Sequence, residues 1–180
     1  MTSKIENNLN STIVIVGGNG DLSLRKLLPA LYNLEKRGLL DKVNRVIGTG
    51  RADFSQQEFL DLVTTKYLEF VCSDKSKIQQ CDHWTKFINK VDYCRLPADE
   101  PAQYELLKTM ITADGNRPPV TYYLSTVPAL YGSICQQLKS HGLAEDSDRV
   151  VLEKPLGNNL ATCNEIHAAV AEVFDESNTF

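Results

Sequence analysis

A short apolar run that breaks directly into glycines constrains the fold of this chain most strongly. The β-branched residues Ile13 to Val16 lead into Gly17-Gly18-Asn19-Gly20-Asp21-Leu22, and helix-like apolar spacing follows from Leu24 to Arg37. Such a run is typical of a buried parallel strand, so the segment predicts a strand, a tight turn and a helix. Glycines permit close backbone approaches there, and the N–H groups at a helix start attract anions. We therefore expect the turn to bind a phosphate group.

The glycine pattern alone does not decide this. The strict G-x-G-x-x-G form is not met, because the segment that begins at Gly18 ends in Ser23 and Gly17 to Gly20 gives only a G-x-x-G variant. A strand-to-helix turn without any ligand therefore remains open on this segment alone.

Length and composition favour one domain of ordinary globular type. The chain has 180 residues, of which 42% are hydrophobic, and it contains no apolar window long enough to span a membrane. Residues 1–11 are polar, without a signal-peptide core, and we expect them to be a flexible N-terminus before a domain over residues 12–180. These features predict a cytoplasmic protein.

Charge and cysteine content exclude several classes of function. The formal net charge is −4 and basic residues are interspersed with acidic ones, which disfavours a nucleic-acid partner. The cysteines are odd in number and form no C-x-x-C pair, so we expect free thiols and neither a disulfide framework nor a metal site.

Short apolar runs alternate with helical patterns along the chain. The predicted strands are Thr12 to Val16, Arg45 to Gly48, Val91 to Leu96, Val120 to Ser125 and Arg149 to Glu153. The predicted helices are Leu24 to Arg37, a helix that opens with the Ser55 to Glu58 capping box and runs toward Phe70, Lys77 to Asn89, Pro101 to Ile111, Pro128 to Ser140 and Asn159 to Phe174. This alternation predicts an α/β fold, a three-layer, doubly wound parallel sheet of Rossmann type, with its ligand outside the carboxyl ends of the strands.

Gly50-Arg51-Ala52-Asp53 follows the second predicted strand, where a dinucleotide fold holds the adenosine ribose. An acidic residue there accepts from the 2′-hydroxyl of NAD, whereas an Arg accommodates the 2′-phosphate of NADP through charge-assisted hydrogen bonds. Arg51 therefore favours NADP as cofactor, although Asp53 leaves some use of NAD open. The alternative is that Arg51 merely pairs with Asp53 on a solvated loop.

The fifth predicted strand ends in Glu153-Lys154-Pro155-Leu156-Gly157. Lys154 is expected at the tip of that strand, toward the nicotinamide half of the cleft, where an ammonium can donate to a sugar hydroxyl or a phosphate. Pro155 would fix the turn, and a cis bond is possible there. A salt bridge between Lys154 and its neighbour Glu153 is the structural alternative.

Four separated motifs together resemble the coenzyme domain of the glucose-6-phosphate dehydrogenases. They are Gly17 to Leu22 with Arg25 to Pro29, Gly50 to Asp53, Tyr123-Leu124 leading to Pro128, and Glu153 to Gly157, in matching order from about Thr12 to Phe174. The resemblance implies oxidation of D-glucose 6-phosphate to 6-phosphoglucono-1,5-lactone with NADP, the first step of the pentose phosphate pathway.

The resemblance also implies roles for particular residues. The cofactor would contact Gly17, Gly18, Asn19, Gly20, Asp21, Leu22 and Ser23 at its pyrophosphate, Arg51 at its 2′-phosphate, Tyr123 at its side, and Lys154, which would also position the sugar phosphate as the catalytic residue of this chain. No metal is implied.

Similar enzymes continue with a sugar-phosphate motif and a large α+β domain that carries the histidine base and the dimer interface. The resemblance thus implies a longer homodimeric or homotetrameric enzyme, of which these residues alone would be almost inactive. His83, His141 and His167 are expected to be ordinary surface or core residues.

Two other interpretations remain open. The glucose-fructose oxidoreductase and inositol dehydrogenase group also joins a dinucleotide fold to an E-K-P motif, although the Gly20-Asp21-Leu22 form points away from it. A noncatalytic module that binds a dinucleotide or a partner protein is the other.

Overall fold

A five-stranded sheet organises the protein. The computed structural model describes residues 10–72, 74, 81–97, 100–113, 115 and 117–180. The strands are β1 (Ser11–Val16), β2 (Val43–Gly50), β3 (Val91–Arg95), β4 (Val120–Leu124) and β5 (Arg149–Leu152). They lie in the order β3-β2-β1-β4-β5, and every neighbouring pair is parallel. This confirms the predicted doubly wound sheet. The predicted N-terminal segment falls mostly on residues 1–9, outside the described ones.

Strand β2 extends beyond its predicted limits at both ends. It is the neighbour of both β1 and β3, and Val43 pairs with Ser11 at one end while Gly50 pairs with Arg95 at the other. Two ladders of hydrogen bonds therefore extend the strand past its apolar centre.

The helices that connect the strands follow the predicted order. They are α1 (Leu28–Lys36), α2 (Gln56–Phe70), α3 (Asp82–Ile88), α4 (Pro101–Ile111), α5 (Tyr131–Ser140) and α6 (Leu160–Ala171), with 3₁₀ turns at Pro128–Leu130 and Glu176–Asn178. The predicted capping box of α2 is present, because Ser55 and Glu58 each accept a hydrogen bond from the other's backbone N–H. Residues 77–80 of the predicted Lys77 to Asn89 helix lie outside the described part of the chain. The last predicted helix is shorter than expected, since the α-helix ends at Ala171.

The first helix does not begin as a regular α-helix. A π-helical segment, Ser23–Leu27, precedes α1, whereas the sequence predicted one uniform helix from Leu24 to Arg37. Single π-helical turns are rare and often lie at functional sites. This one follows the glycine turn directly.

The helices form two layers with the sheet between them. On one face α1, α2 and α3 supply Tyr32, Phe59 and Trp84 to a core that includes Ile15 of β1. On the other face α4, α5 and α6 pack around Val14, the preceding residue of β1. This alternation is the period of a strand that is buried on both faces.

The outer edges of the sheet are also bonded. At the β3 edge, the Gln56 side chain donates to the Val91 carbonyl at 2.7 Å and accepts from the Tyr93 N–H at 2.9 Å. At the β5 edge, Phe180 donates to the Val150 carbonyl at 2.9 Å and accepts from the Leu152 N–H at 2.8 Å. Among the described residues, no helix is both long and apolar enough to cross a membrane.

Candidate functional site

The glycine turn after β1 is packed too closely for side chains. Gly17 has a positive φ of 91°, and a Cβ there would lie 2.2 Å from the Ser125 carbonyl oxygen. A Cβ on Gly18 would lie 2.5 Å from the Cα of Gly48 in β2. The turn therefore lies directly against the ends of the two neighbouring strands, β2 and β4.

Hydrogen bonds fix the turn and leave part of its backbone free. The N–H groups of Gly17 and Gly18 both donate to the Thr49 carbonyl, at 3.0 and 2.7 Å, and the Gly20 N–H donates to Gly17. Within the described residues, the N–H groups of four turn residues have no protein acceptor, those of Asn19, Asp21, Leu22 and Ser23. Unpaired N–H groups at a helix start form a site for an anion.

The side chains of the turn differ in how they are used. Ser23 is buried, and its hydroxyl donates to the Gly17 carbonyl at 2.8 Å and lies 3.1 Å from the Ser125 hydroxyl, so the side chain holds the turn together. Only the backbone of Ser23 remains for a ligand. The exposed Asp21 carboxylate pairs with Arg25 at 3.3 Å, which offsets its negative charge near the anion site, and Leu22 is exposed.

The loop of residues 51–54 after β2, the β2 loop, is held from the neighbouring strand. The Tyr93 hydroxyl, on β3, donates to the Ala52 carbonyl at 2.7 Å, and the Phe54 and Tyr93 rings pack edge to face. Burial raises the pKa of Tyr93 to about 12, so its hydroxyl stays protonated at neutral pH. At the start of the loop, a Cβ on Gly50 would lie 2.2 Å from Asn19 Oδ1, which brings the glycine turn and this loop into contact.

Arg51 is exposed on this fixed loop. Among the described residues, its guanidinium makes no ion pair or hydrogen bond, and Asp53, also exposed, does not pair with it. The alternative in which Arg51 merely pairs with Asp53 is therefore not what the structure has. The guanidinium is free to bind an anion.

The segment after β5, residues 153–157 (the β5 turn), is held by two tyrosines. The Tyr123 hydroxyl, on β4, donates to the Glu153 carboxylate. The Tyr131 hydroxyl lies 3.3 Å from the Glu153 N–H, which donates to it. The Lys154-Pro155 bond is cis, and within the described chain the exposed Lys154 ammonium has neither an ion pair nor a hydrogen bond. The expected alternative, a Glu153–Lys154 salt bridge, is not formed.

A cavity of about 580 Å³ lies beside the β5 turn, between the start of α5 and α6. Its lining is mainly apolar and includes Val127, Pro128, Gly132, Pro155 and Ile166, with Glu165 as its one charged side chain among those described. The cavity does not reach the glycine turn, so it adds no phosphate-binding group to the site.

The predicted site residues lie at the end of the sheet where the carboxyl ends of the strands meet. Arg51 follows β2, the glycine turn follows β1, and Lys154 follows β5, so three strand spacings, about 14 Å, separate the end of β2 from the end of β5. Between β1 and β4 the strand order reverses, which is where doubly wound sheets bind ligands. The free N–H groups of the glycine turn fit a dinucleotide pyrophosphate at this point of the sheet.

Sequence reasoning missed the tyrosines that hold both segments. In the sequence, Tyr93 and Tyr131 are only aromatic residues within apolar patterns. No local pattern indicates that their hydroxyls bond to Ala52 and Glu153, which lie 41 and 22 positions away. His83 and His167 are exposed, and the His141 ring stacks on the Tyr104 ring with their centroids 4.9 Å apart. Among the described residues no cluster of His, Cys, Asp and Glu could hold a metal ion.

A family model described as "Glucose-6-phosphate dehydrogenase, NAD binding domain" matches residues 14–180. The chain belongs to the glucose-6-phosphate dehydrogenase family. This match favours that family over the sugar oxidoreductases that share only the E-K-P motif.

Relatives and solved structures agree with this family. The glucose-6-phosphate 1-dehydrogenase of Dickeya dadantii is 37% identical over 93% of this chain, and that of Zymomonas mobilis is 36% identical over 96%. A solved glucose-6-phosphate dehydrogenase in complex with its substrate glucose-6-phosphate superposes on 96% of the chain with a TM-score of 0.82 at 29% identity. The enzyme from Mycobacterium avium superposes on 94% with a TM-score of 0.80 at 25% identity.

The chain spans about a third of the length of these relatives. It covers 33% of the Dickeya dadantii protein, 35% of the Zymomonas mobilis protein and 36% of the substrate-bound structure. The glucose-6-phosphate dehydrogenases matched here thus extend over roughly three times this sequence.

Proposed function

We propose that this chain is the NADP-binding part of an enzyme that oxidises D-glucose 6-phosphate to 6-phosphoglucono-1,5-lactone, the first step of the pentose phosphate pathway. The observation that carries the proposal is the set of anion-binding groups at the carboxyl ends of the strands, in a chain that belongs to this family. Free turn N–H groups lie between two cations, Arg51 and Lys154, that have no protein partner among the described residues. Each of these groups suits an anionic part of the two substrates.

The phosphates of the cofactor are assigned to the β1 and β2 ends of the site. The N–H groups of Asn19, Asp21, Leu22 and Ser23 would donate to the pyrophosphate, where the helix dipole adds to the attraction. Arg51 would bind the 2′-phosphate, because a guanidinium donates two parallel hydrogen bonds to phosphate oxygens. This makes NADP, rather than NAD, the preferred cofactor.

Lys154 is assigned to the sugar. Its ammonium would donate to glucose 6-phosphate and hold the reacting carbon near the nicotinamide, which NADP supplies as the hydride acceptor when bound. Holding the sugar in this way lowers the entropic cost of reaction. The base that takes the C1 hydroxyl proton is assigned to a histidine of the longer enzyme, because His83 and His167 lie on α3 and α6 and His141 stacks on Tyr104 at the end of α5.

The test is an assay of the intact protein with a matched set of substrates. We expect absorbance of reduced nicotinamide to develop with glucose 6-phosphate and NADP, much more slowly with NAD, and not with unphosphorylated glucose at the same concentration. Equal turnover of glucose, or no reduction of either cofactor by any of these sugars, would contradict the proposal.

We also propose that the enzyme is cytoplasmic and forms homodimers or homotetramers. Fractionation of cells and sedimentation equilibrium of the intact protein test these two points. A monomer at micromolar concentration would contradict the second.

A further inference from the structure

Glu153 and Lys154 are neighbours in the chain with opposite charges, yet they are bound separately. The Glu153 carboxylate accepts a hydrogen bond from the Tyr123 hydroxyl, and the Lys154 ammonium is exposed with no protein partner among the described residues. Because Tyr123 lies on β4 and Glu153 follows β5, the bond joins two adjacent strands at the edge that carries the site.

The register of the sheet explains how this carboxylate reaches the Tyr123 hydroxyl. Tyr123 pairs with Val151, and Glu153 lies two residues further along the chain, so strand alternation directs it to the same face as Tyr123. Tyr131 holds the backbone of the same residue, because its hydroxyl accepts from the Glu153 N–H at 3.3 Å. Side chain and backbone of Glu153 are thus both fixed.

The Tyr123 hydroxyl remains a donor over the whole working range of pH. Burial, together with its hydrogen bond to Glu153, raises the pKa of Tyr123 to about 12. Because the Tyr123 hydroxyl is neutral, its hydrogen bond does not neutralise the Glu153 carboxylate. The bond instead fixes the position of that negative charge.

A released Glu153 would compete for the same cation as the substrate. An anionic sugar phosphate and a neighbouring carboxylate both attract the Lys154 ammonium, and an ion pair within the protein would have to break before the substrate could bind. The Lys154 ammonium is therefore available to the sugar phosphate only while the Glu153 carboxylate is bonded to another group.

We propose that Tyr123 is a positioning residue that keeps the Glu153 carboxylate away from Lys154 and so leaves the lysine ammonium free for the anionic sugar phosphate. This inference rests on the proposed role of Lys154. It gives Tyr123 a task on the sugar side of the site, distinct from the cofactor contact that the family resemblance implies.

The first experiment uses Tyr123→Phe in the intact enzyme. We expect the KM for glucose 6-phosphate to rise about two- to fivefold, which is the effect of a surface ion pair that competes with the substrate, while the KM for NADP stays the same. Tyr104→Phe, a buried tyrosine on α4 away from this edge, is the matched control and should leave both KM values unchanged. A rise in the KM for NADP alone would make Tyr123 a cofactor contact and overturn the inference.

The second experiment asks whether removing the competing charge reverses the defect. In Tyr123→Phe/Glu153→Gln the neutral amide cannot form an ion pair with Lys154, so the KM for the sugar phosphate should fall back toward the wild-type value. A double variant as impaired as Tyr123→Phe, or worse, would overturn the inference. If Tyr123→Phe lowers the thermal midpoint strongly, its KM values are measured well below that midpoint, and a KM for the sugar phosphate equal to the wild-type value there would overturn the inference.

Lys154→Ala separates this inference from the proposed function. An unchanged KM and kcat in Lys154→Ala would remove the proposed role of Lys154 and this inference with it. A large loss in Lys154→Ala, combined with a Tyr123→Phe defect that Glu153→Gln does not reverse, would overturn the positioning role alone.

Discussion

The β2 loop and the β5 turn use the same arrangement at opposite ends of the site. In each, a tyrosine on the neighbouring strand bonds to one residue, and an exposed cation beside that residue has no protein partner among those described. They differ in what the tyrosine holds: Tyr93 bonds to the Ala52 carbonyl, whereas Tyr123 bonds to the Glu153 carboxylate. Loss of the first bond loosens the backbone near Arg51, while loss of the second releases a charge beside Lys154.

The largest expected effect is at the β5 turn. In the intact enzyme, Lys154→Ala should lower kcat/KM for glucose 6-phosphate about 10²-fold, because small misplacements of a reacting group cost that much, and NADP affinity should change far less. Steady-state kinetics beside a thermal melt make the measurement, with the exposed Lys42→Ala as the matched control. Turnover at the wild-type level would show that Lys154 does not position the sugar phosphate. A substrate-binding role would then remain proposed for Arg51 alone.

Arg51→Ala should have the next largest effect, and on the cofactor only. Loss of charge-assisted bonds to the 2′-phosphate is worth roughly 1.5–3 kcal/mol, so NADP should bind about tenfold to a hundredfold more weakly while NAD binding stays nearly constant. Titration of both cofactors measures this, and the exposed Arg37→Ala is the control. Equal weakening of NADP and NAD would remove the assignment of Arg51.

Tyr93→Phe should have a smaller effect that follows from the comparison itself. The ring remains and only the bond to Ala52 is lost, at a cost of about 1 kcal/mol, so NADP affinity should fall a few-fold, and by more than NAD affinity. The Arg51→Ala background should abolish this difference between cofactors. Tyr122→Phe, which loses a hydroxyl bond to the Leu143 carbonyl on the other face of the sheet, serves as the control. An equal loss for both cofactors would mean that Tyr93 supports only the fold.

The smallest expected effect is a pH dependence confined to the β2 side. Hydrogen bonds from the Ser55 N–H and hydroxyl hold the pKa of Glu58 below its usual value. Because the folded-state pKa lies below the unfolded one, the carboxylate stabilises the protein above the unfolded pKa, and this contribution is lost as pH falls through the folded pKa. The difference in thermal midpoint between wild type and Glu58→Gln should therefore shrink below about pH 4. A constant difference across pH would show that the capping box does not depend on charge.

The sequence was sufficient for the parts of the fold that local chemistry determines. The alternation of strands and helices, the glycine turn and the Ser55 cap follow from residues close together in the chain, and all three are confirmed. The resemblance of the four motifs indicated the family, and the family model that matches residues 14–180 agrees with it. The binding roles of the site residues stay predictions.

Most of what the sequence did not show depends on contacts between distant residues. The Tyr123–Glu153 and Tyr93–Ala52 bonds join residues 30 and 41 positions apart, and both depend on which strands are neighbours and in which register. The π-helical segment at Ser23–Leu27 was missed because helical periodicity does not distinguish it from an α-helix.

The contact of the Gln56 side chain with the edge of β3 has a further consequence. In β3 alternate residues bond to β2, so Val91 and Tyr93 direct their backbone groups outward, where another polypeptide could add as a strand. The Gln56 amide occupies one of these acceptors and one of these donors, as a peptide group of a neighbouring strand would. The first residue of α2 thus also covers part of this edge, where it takes the place that a strand of another polypeptide would occupy.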